Sequence, residues 1–176
     1  MTTILEEGDV KFHPGEDQMH DLLHLPHQGN PTSPFLTPFA AQLLQTSPLL
    51  AIGTLDHEGR PWATVWGGEA GFTRQIGSSV IGIRTTVEKA YDPAVKNLVE
   101  TEKDGEVQLD GKGRMVAGLG IDLETRRRVK LFGRMMAGSI SSPESDQEDV
   151  KHGEIQLVVK IEQSLGMEYP ISINIV

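Results

Sequence analysis

The chain has 176 residues, enough for one domain with a substantial core of its own. Sixteen basic against 25 acidic residues leave a net charge of −9, which argues against general nucleic-acid binding, since phosphate attraction needs a basic surface. The absence of cysteine excludes disulfides, thiolate catalysis and cysteine-ligated zinc or iron–sulfur sites.

Residues 1–34 differ from the rest. Four of the six histidines, His13, His20, His24 and His27, lie there, punctuated by Pro14, Pro26, Pro31 and Pro34. Met1 to Val10 carries acidic residues and no signal-peptide core, and no apolar run approaches a membrane span, so a cytoplasmic protein without membrane contact is expected. A short helix is predicted over Glu16–Leu25, ended by Pro26. The segment reads as an arm that packs on the domain, residues 35–176, or on a partner chain. His20 and His24 share a helix face, but no His-Glu-x-x-His pattern exists and Pro26 separates His27, so no metal is expected.

Thr37 followed by Pro38 starts a second predicted helix, Pro38 to Gln45. Leu49 to Leu55 and Trp62 to Trp66 read as a β-hairpin around Asp56–Pro61. Gly67 to Gly71 superficially suggests a dinucleotide-binding loop, but strand-like residues follow where a helix would be needed, so it reads as a wide turn. Further elements are a strand at Ser79–Arg84, a helix at Ala94–Glu100, a polar loop from Glu100 to Gly113 and a strand at Arg114–Ile121. A turn at Asp122–Thr125, a long strand at Arg126–Met136 and a solvated loop at Ser141–Gly153 come next. Glu154 to Glu162 alternates, with Ile155, Leu157, Val159 and Ile161 on one face, and Ile171, Ile173 and Val176 form a last extended piece. The sum is about six strands and two or three short helices, a mainly β protein and a barrel rather than a doubly wound sheet.

Arg126, Arg128, Lys130 and Arg134 fall on one face of the long strand, with Arg127 on the other beside Val129 and Leu131. This stripe is either an anion site or a solvated or interface face. Trp62 and Trp66 are either walls for a flat ligand or core. Arg84, Thr85, Thr86 and Lys89 follow a strand and offer charge and hydroxyls to a phosphate. No Ser-His-Asp or paired-carboxylate arrangement is found.

The run LAIGTLDHEGRPW, Leu50 to Trp62, resembles the opening hairpin of the pyridoxamine 5′-phosphate oxidase-like, FMN-binding split-barrel family. Gly120 to Val129, followed by Gly133-Arg134, is similar to a later hairpin of one branch, often fused to a ferredoxin-reductase-like module. Phe12 to Glu16, FHPGE, resembles that branch's start. The resemblance covers most of residues 12–165. It implies an FMN-binding split β-barrel and a homodimer with FMN between subunits. Thr64, Val65 and Trp66 would then run along the flavin, Arg84, Thr85 and Lys89 would lie near its phosphate, and Arg128 would reach it from the other chain. Two departures point away from pyridoxamine phosphate as substrate. Thr64 stands where those oxidases have a basic residue, and their C-terminal substrate-binding residues are not found. Gly166 to Pro170 stands where the fused branch has its Asn-Cys-Pro-Lys segment, so a protein without a reductase module of its own is expected. The expectation is a stand-alone FMN-dependent oxidoreductase acting on a small organic molecule, with a separate reductase as a candidate partner. The alternatives are a flavin- or ligand-binding module without turnover, and a flavin-free barrel recruited as a scaffold or for non-redox chemistry.

Overall fold

The computed structural model describes residues 10–26, 29–142 and 151–167. Within them the chain forms eight strands and three short helices. These are α1 (Pro14–Leu22), α2 (Pro38–Thr46), β1 (Leu49–Leu55), β2 (Pro61–Gly67), β3 (Thr73–Gly77) and β4 (Val80–Glu88). Then come α3 (Pro93–Leu98), β5 (Gln108–Leu109), β6 (Met115–Ile121), β7 (Arg128–Ser141) and β8 (His152–Met167). The mainly β class is as expected.

Each helix begins where a capping side chain precedes proline. His13 Nδ1 accepts from the Gly15 N–H and Glu16 answers with a bond from the His13 N–H, so α1 starts two residues before the predicted Glu16. Thr37 caps α2 through the Ala40 N–H, as expected. Asp92 caps α3 through the Ala94 and Val95 N–H groups, which moves its start to Pro93.

All the strand pairs are antiparallel, in the order β2-β1-β6-β7-β8-β4-β3, with β5 beside β7. The sheet curls until β2 returns against β4, where the Thr85 hydroxyl donates to the Gly67 carbonyl. Alternate residues point inward: Leu50 and Ile52 from β1, Trp66 from β2, Ile81 and Ile83 from β4, and Ile155, Leu157, Val159 and Ile161 from β8. Leu43 and Leu44 of α2 and Val95 and Leu98 of α3 complete this one core.

Four expectations are corrected. β3 was not anticipated, because Thr73-Arg74-Gln75 shows no apolar alternation; it holds by pairing with β4. β4 and β7 run past their predicted ends to Glu88 and Ser141, since β8, which lies between them, extends the ladder on both sides. Arg126 is not on the long strand: it sits in the preceding turn with φ +61, and β7 starts at Arg128. Arg127 is likewise an exposed turn residue and not an inward one. A bulge at Met136 then reverses the facing, so that Gly138 and Ile140 point inward after Val129, Leu131 and Met135. The proposed last extended piece at Ile171–Val176, and most of the Ser141–Gly153 loop, lie outside the described residues.

The β1–β2 turn is organised by Asp56, whose carboxylate is shielded from solvent. It accepts from the backbone N–H of Glu58 and Arg60, from Arg60 Nε at 2.7 Å and from Trp62 Nε1 at 3.0 Å. The Trp62 bond above all, and then those of Arg60, hold its pKa far below the ordinary 3.8. A depressed carboxyl stabilises the fold above its unfolded-state pKa and loses that contribution as pH falls through its folded value. Asp56→Asn is therefore expected to melt a few degrees lower at pH 7. The gap from wild type should shrink on acidification below about pH 3.8, where the wild-type group begins to lose its advantage. A gap that stays constant from pH 7 to pH 2 in thermal melts would refute this.

Candidate functional site

The outer faces of β3, β4, β8 and β7 form a shallow concavity. The strand registers place Ser139, Gln156 and Arg84 side by side in one row, and Ala137, Val158, Gly82 and Arg74 in the next. Small residues at Gly82, Ala137 and Ser139 keep this floor low, while Ile76 and Val107 rise beside it. The groove has a volume of about 480 Å³, within the range of small-ligand sites. A second hollow of about 330 Å³ continues along the same strands, bordered by Thr86, Ser141, His152 and Glu154. Arg84 Nε lies 3.0 Å from Glu154 Oε1 on the ridge between them. This bond, ahead of one from Gln156, holds the Glu154 carboxyl below its ordinary pKa of 4.5. Arg74 is exposed and makes no ion pair among the described residues. The arrangement offers two guanidinium groups, a primary amide, a hydroxyl and an apolar wall to one ligand.

The residues singled out from the sequence divide among different environments. Arg84 lines the groove. Thr85, next to it, points inward and spends its hydroxyl on Gly67. Lys89 is largely buried: its Nζ bonds Asp104 Oδ1 at 2.9 Å and Ser142 Oγ at 2.9 Å, fastening the end of β4 to the loop after α3 and to the end of β7. The Lys89 bond is the main reason that Asp104 stays ionised below its ordinary 3.8. On β2, Trp66 is a core residue, 3 % exposed, with Nε1 donating to Asp92, the cap of α3. Thr64 is half-buried on the same side, and Val65 faces outward, 63 % exposed. Arg128 begins β7 on the outer face beside Ile121. Eleven residue steps along β7 separate it from Ser139, the neighbour of Gln156 in the Arg84 row, a strand path of about 36 Å at 3.3 Å per residue. One chain therefore does not bring Arg128 and Arg84 together. Among the described histidines, His13 caps α1 and His20 packs edge-on against Phe12.

Sequence reasoning missed Arg74, Ser139, Gln156 and Val158. The alternation of β8 held the signal for two of them, because residues between Ile155, Leu157 and Val159 must face away from the core. Arg74 was hidden with its unrecognised strand, and Ser139 lies beyond the facing reversal at Met136.

Two halves of sheet share the long strands β7 and β8, and β2 closes against β4. The fold is a split β-barrel. No family model matches the sequence, and no curated protein is significantly similar to it. Among solved structures, the chain is similar to a Lactobacillus delbrueckii protein described as a "putative pyridoxamine 5′-phosphate oxidase". The identity is 16 %, 75 % of this chain and 94 % of the other are covered, and the TM-score is 0.44. It is also similar to an F420 reductase, at 16 % identity over 73 % of this chain and 98 % of the other with a TM-score of 0.43. For HutZ, the heme storage protein from Vibrio cholerae, the identity is 14 % over 72 % and 95 %, and the TM-score is 0.38. No helix among the described residues is long and apolar enough to cross a membrane.

Proposed function

We propose that the protein is an FMN-dependent oxidoreductase for a small organic molecule, working as a homodimer. The observation that carries this reading is the outer groove, in which Arg74 and Arg84 stand over a floor of small residues beside an apolar wall. Such a site suits a flat molecule with a phosphate at one end. A phosphate carries nearly two negative charges, and paired guanidinium groups bind it in bidentate fashion, which an otherwise acidic surface does not. Gln156 and Ser139 supply hydrogen bonds along the floor, and Ile76 and Val107 exclude water from one side of a ring system.

The residues fit FMN in part. Arg84 and Arg74 would hold the phosphate, whereas Lys89 is committed to Asp104 and Trp66 to the core. Bound FMN supplies hydride transfer through N5 of its isoalloxazine, and the protein's share is position and water exclusion. Arg128 enters only through a second copy.

Titration of the protein into FMN, followed by flavin fluorescence, tests this. Saturable quenching at a one-to-one ratio is expected, as is bleaching of the bound flavin by a reduced nicotinamide and its reoxidation by substrate. Binding without any reduction would leave a flavin-binding module. Unchanged fluorescence at a hundredfold protein excess would remove flavin from the account. A Soret band on adding heme would then identify a different planar cofactor.

A further inference from the structure

The outer face of β7 and β8 carries a second pair of cations at the edge of the groove. Arg134 and Lys160 are direct register partners, and both are exposed. Side chains so placed start about 5 Å apart, and like charges there repel and weaken the sheet. Glu162 offsets this in part, with Oε1 3.5 Å from Arg134 Nε. No carboxylate pairs with Lys160 among the described residues. Arg134 is held in place: Nη1 donates to the Gly113 carbonyl at 3.1 Å, and the guanidinium carbon lies 5.9 Å from the centre of the Phe132 ring. Setting a lysine opposite this fixed guanidinium costs the fold stability, although acidic side chains outnumber basic ones in the chain.

The pair adjoins the groove. Lys160 follows Val158 of the groove floor by two residues on the same face of β8, and on its other side it pairs with Val80 of β4. Gln156, the register partner of Arg84, lies four residues back, about 13 Å along the strand at 3.3 Å per residue. Arg74 and Arg84 stand on β3 and β4, and Lys160 and Arg134 on β8 and β7. Between them run the small and apolar residues Gly82, Val80 and Val158. Such a spacing suits two anionic groups on one face, separated by an apolar strip.

We propose that Arg134 and Lys160 form a second anion subsite, which takes a carboxylate or phosphate group of the substrate while Arg74 and Arg84 hold the phosphate of the cofactor. A guanidinium beside an ammonium binds the oxygens of such a group, and the group's charge relieves their repulsion. The substrate is then an organic acid or a phosphate ester. This inference rests on the reading of the groove as the ligand site.

Acetylation of lysines by the N-hydroxysuccinimide ester of acetic acid, followed by peptide mass spectrometry, reads the subsite directly. The protein is labelled with and without saturating FMN, in rising inorganic phosphate or formate, against chloride of equal ionic strength. Labelling of Lys160 is expected to slow several-fold and saturably, while exposed Lys96 of α3 is unaffected. The oxyanion that protects at the lower concentration names the substrate class. Arg134→Gln should abolish the protection, and Lys160→Gln protein should melt no lower than wild type, because it loses a repulsion. Slowing no greater than chloride gives, or equal slowing at Lys96, overturns the inference. So does a Lys160→Gln protein that melts several degrees lower, since the pair then serves the fold. Protection by FMN alone, with no further effect of phosphate or formate, overturns it too, because the pair then belongs to the cofactor. If the protein binds no flavin and an oxyanion still protects Lys160, the flavin reading falls and the subsite stands.

Discussion

Gly133→Ala is expected to destabilise the protein by about 3 kcal/mol, the upper part of the range for overpacking, and to lower Tm by roughly 6–12 °C. Gly133 sits at the irregularity where β7 steps its register against β8, between the Phe132–Gln163 and Gly133–Ile161 pairs. A Cβ there would come within 2.2 Å of the Lys160 carbonyl oxygen and 3.1 Å of the Ile161 Cα. Both are backbone atoms of the longest strand in the sheet, so relief requires moving the ladder and not merely turning a side chain. Gly111→Ala is the matching control, since nothing lies within 4 Å of its added Cβ. Thermal melts of the two variants decide the matter. A Gly133→Ala protein that melts within 2 °C of wild type would mean that β7 and β8 do not approach in this way.

Arg84→Ala and Arg74→Ala are each expected to weaken FMN binding ten- to hundredfold, since a lost charge-assisted hydrogen bond costs about 1.5–3 kcal/mol. Their melting temperatures should hardly change: the Arg84 side chain is 69 % exposed, and an ion pair as open as that with Glu154 adds little to stability. Lys89→Ala should behave in the opposite sense. Its side chain is 17 % exposed and its ammonium joins three segments, but the Asp104 side chain is 47 % exposed, so the loss is about 1 kcal/mol and a few degrees in Tm. Its FMN affinity should stay near wild type, because no part of Lys89 lines the groove. Fluorescence titrations and melts on the three variants separate the roles. If Lys89→Ala lost the flavin and Arg84→Ala kept it, the phosphate would belong at the end of β4 and not in the groove.

Local chemistry alone determined a good part of this protein. The apolar run Leu49–Leu55, the alternation in Glu154–Glu162, the turn at Asp56–Arg60, the Thr37-Pro38 helix start and the mainly β class were legible because each depends on neighbours a few residues apart. The likeness of the hairpin and the Gly120–Val129 run to a known family led to the barrel. Arg84 was legible as a candidate because it follows a recognisable strand. What a residue faces was another matter. Thr85, Lys89 and Trp66 look as available as Arg84 in the sequence. Only the closure of β2 on β4, the clamp to Asp104 and Ser142 and the cap at Asp92 consume them. Strand β3, which brings Arg74 to the groove, exists by pairing and not by propensity. The bulge at Met136 decides which residues of β7 meet the ligand face, the extra residue Glu162 opposite Phe132–Gly133 steps the facing of β8, and the turn before β7 removes Arg126 from the basic stripe. A one-residue step in a strand reverses every facing beyond it, and such steps are set by the packing of two long partners, β7 and β8, whose residues are distant in the chain.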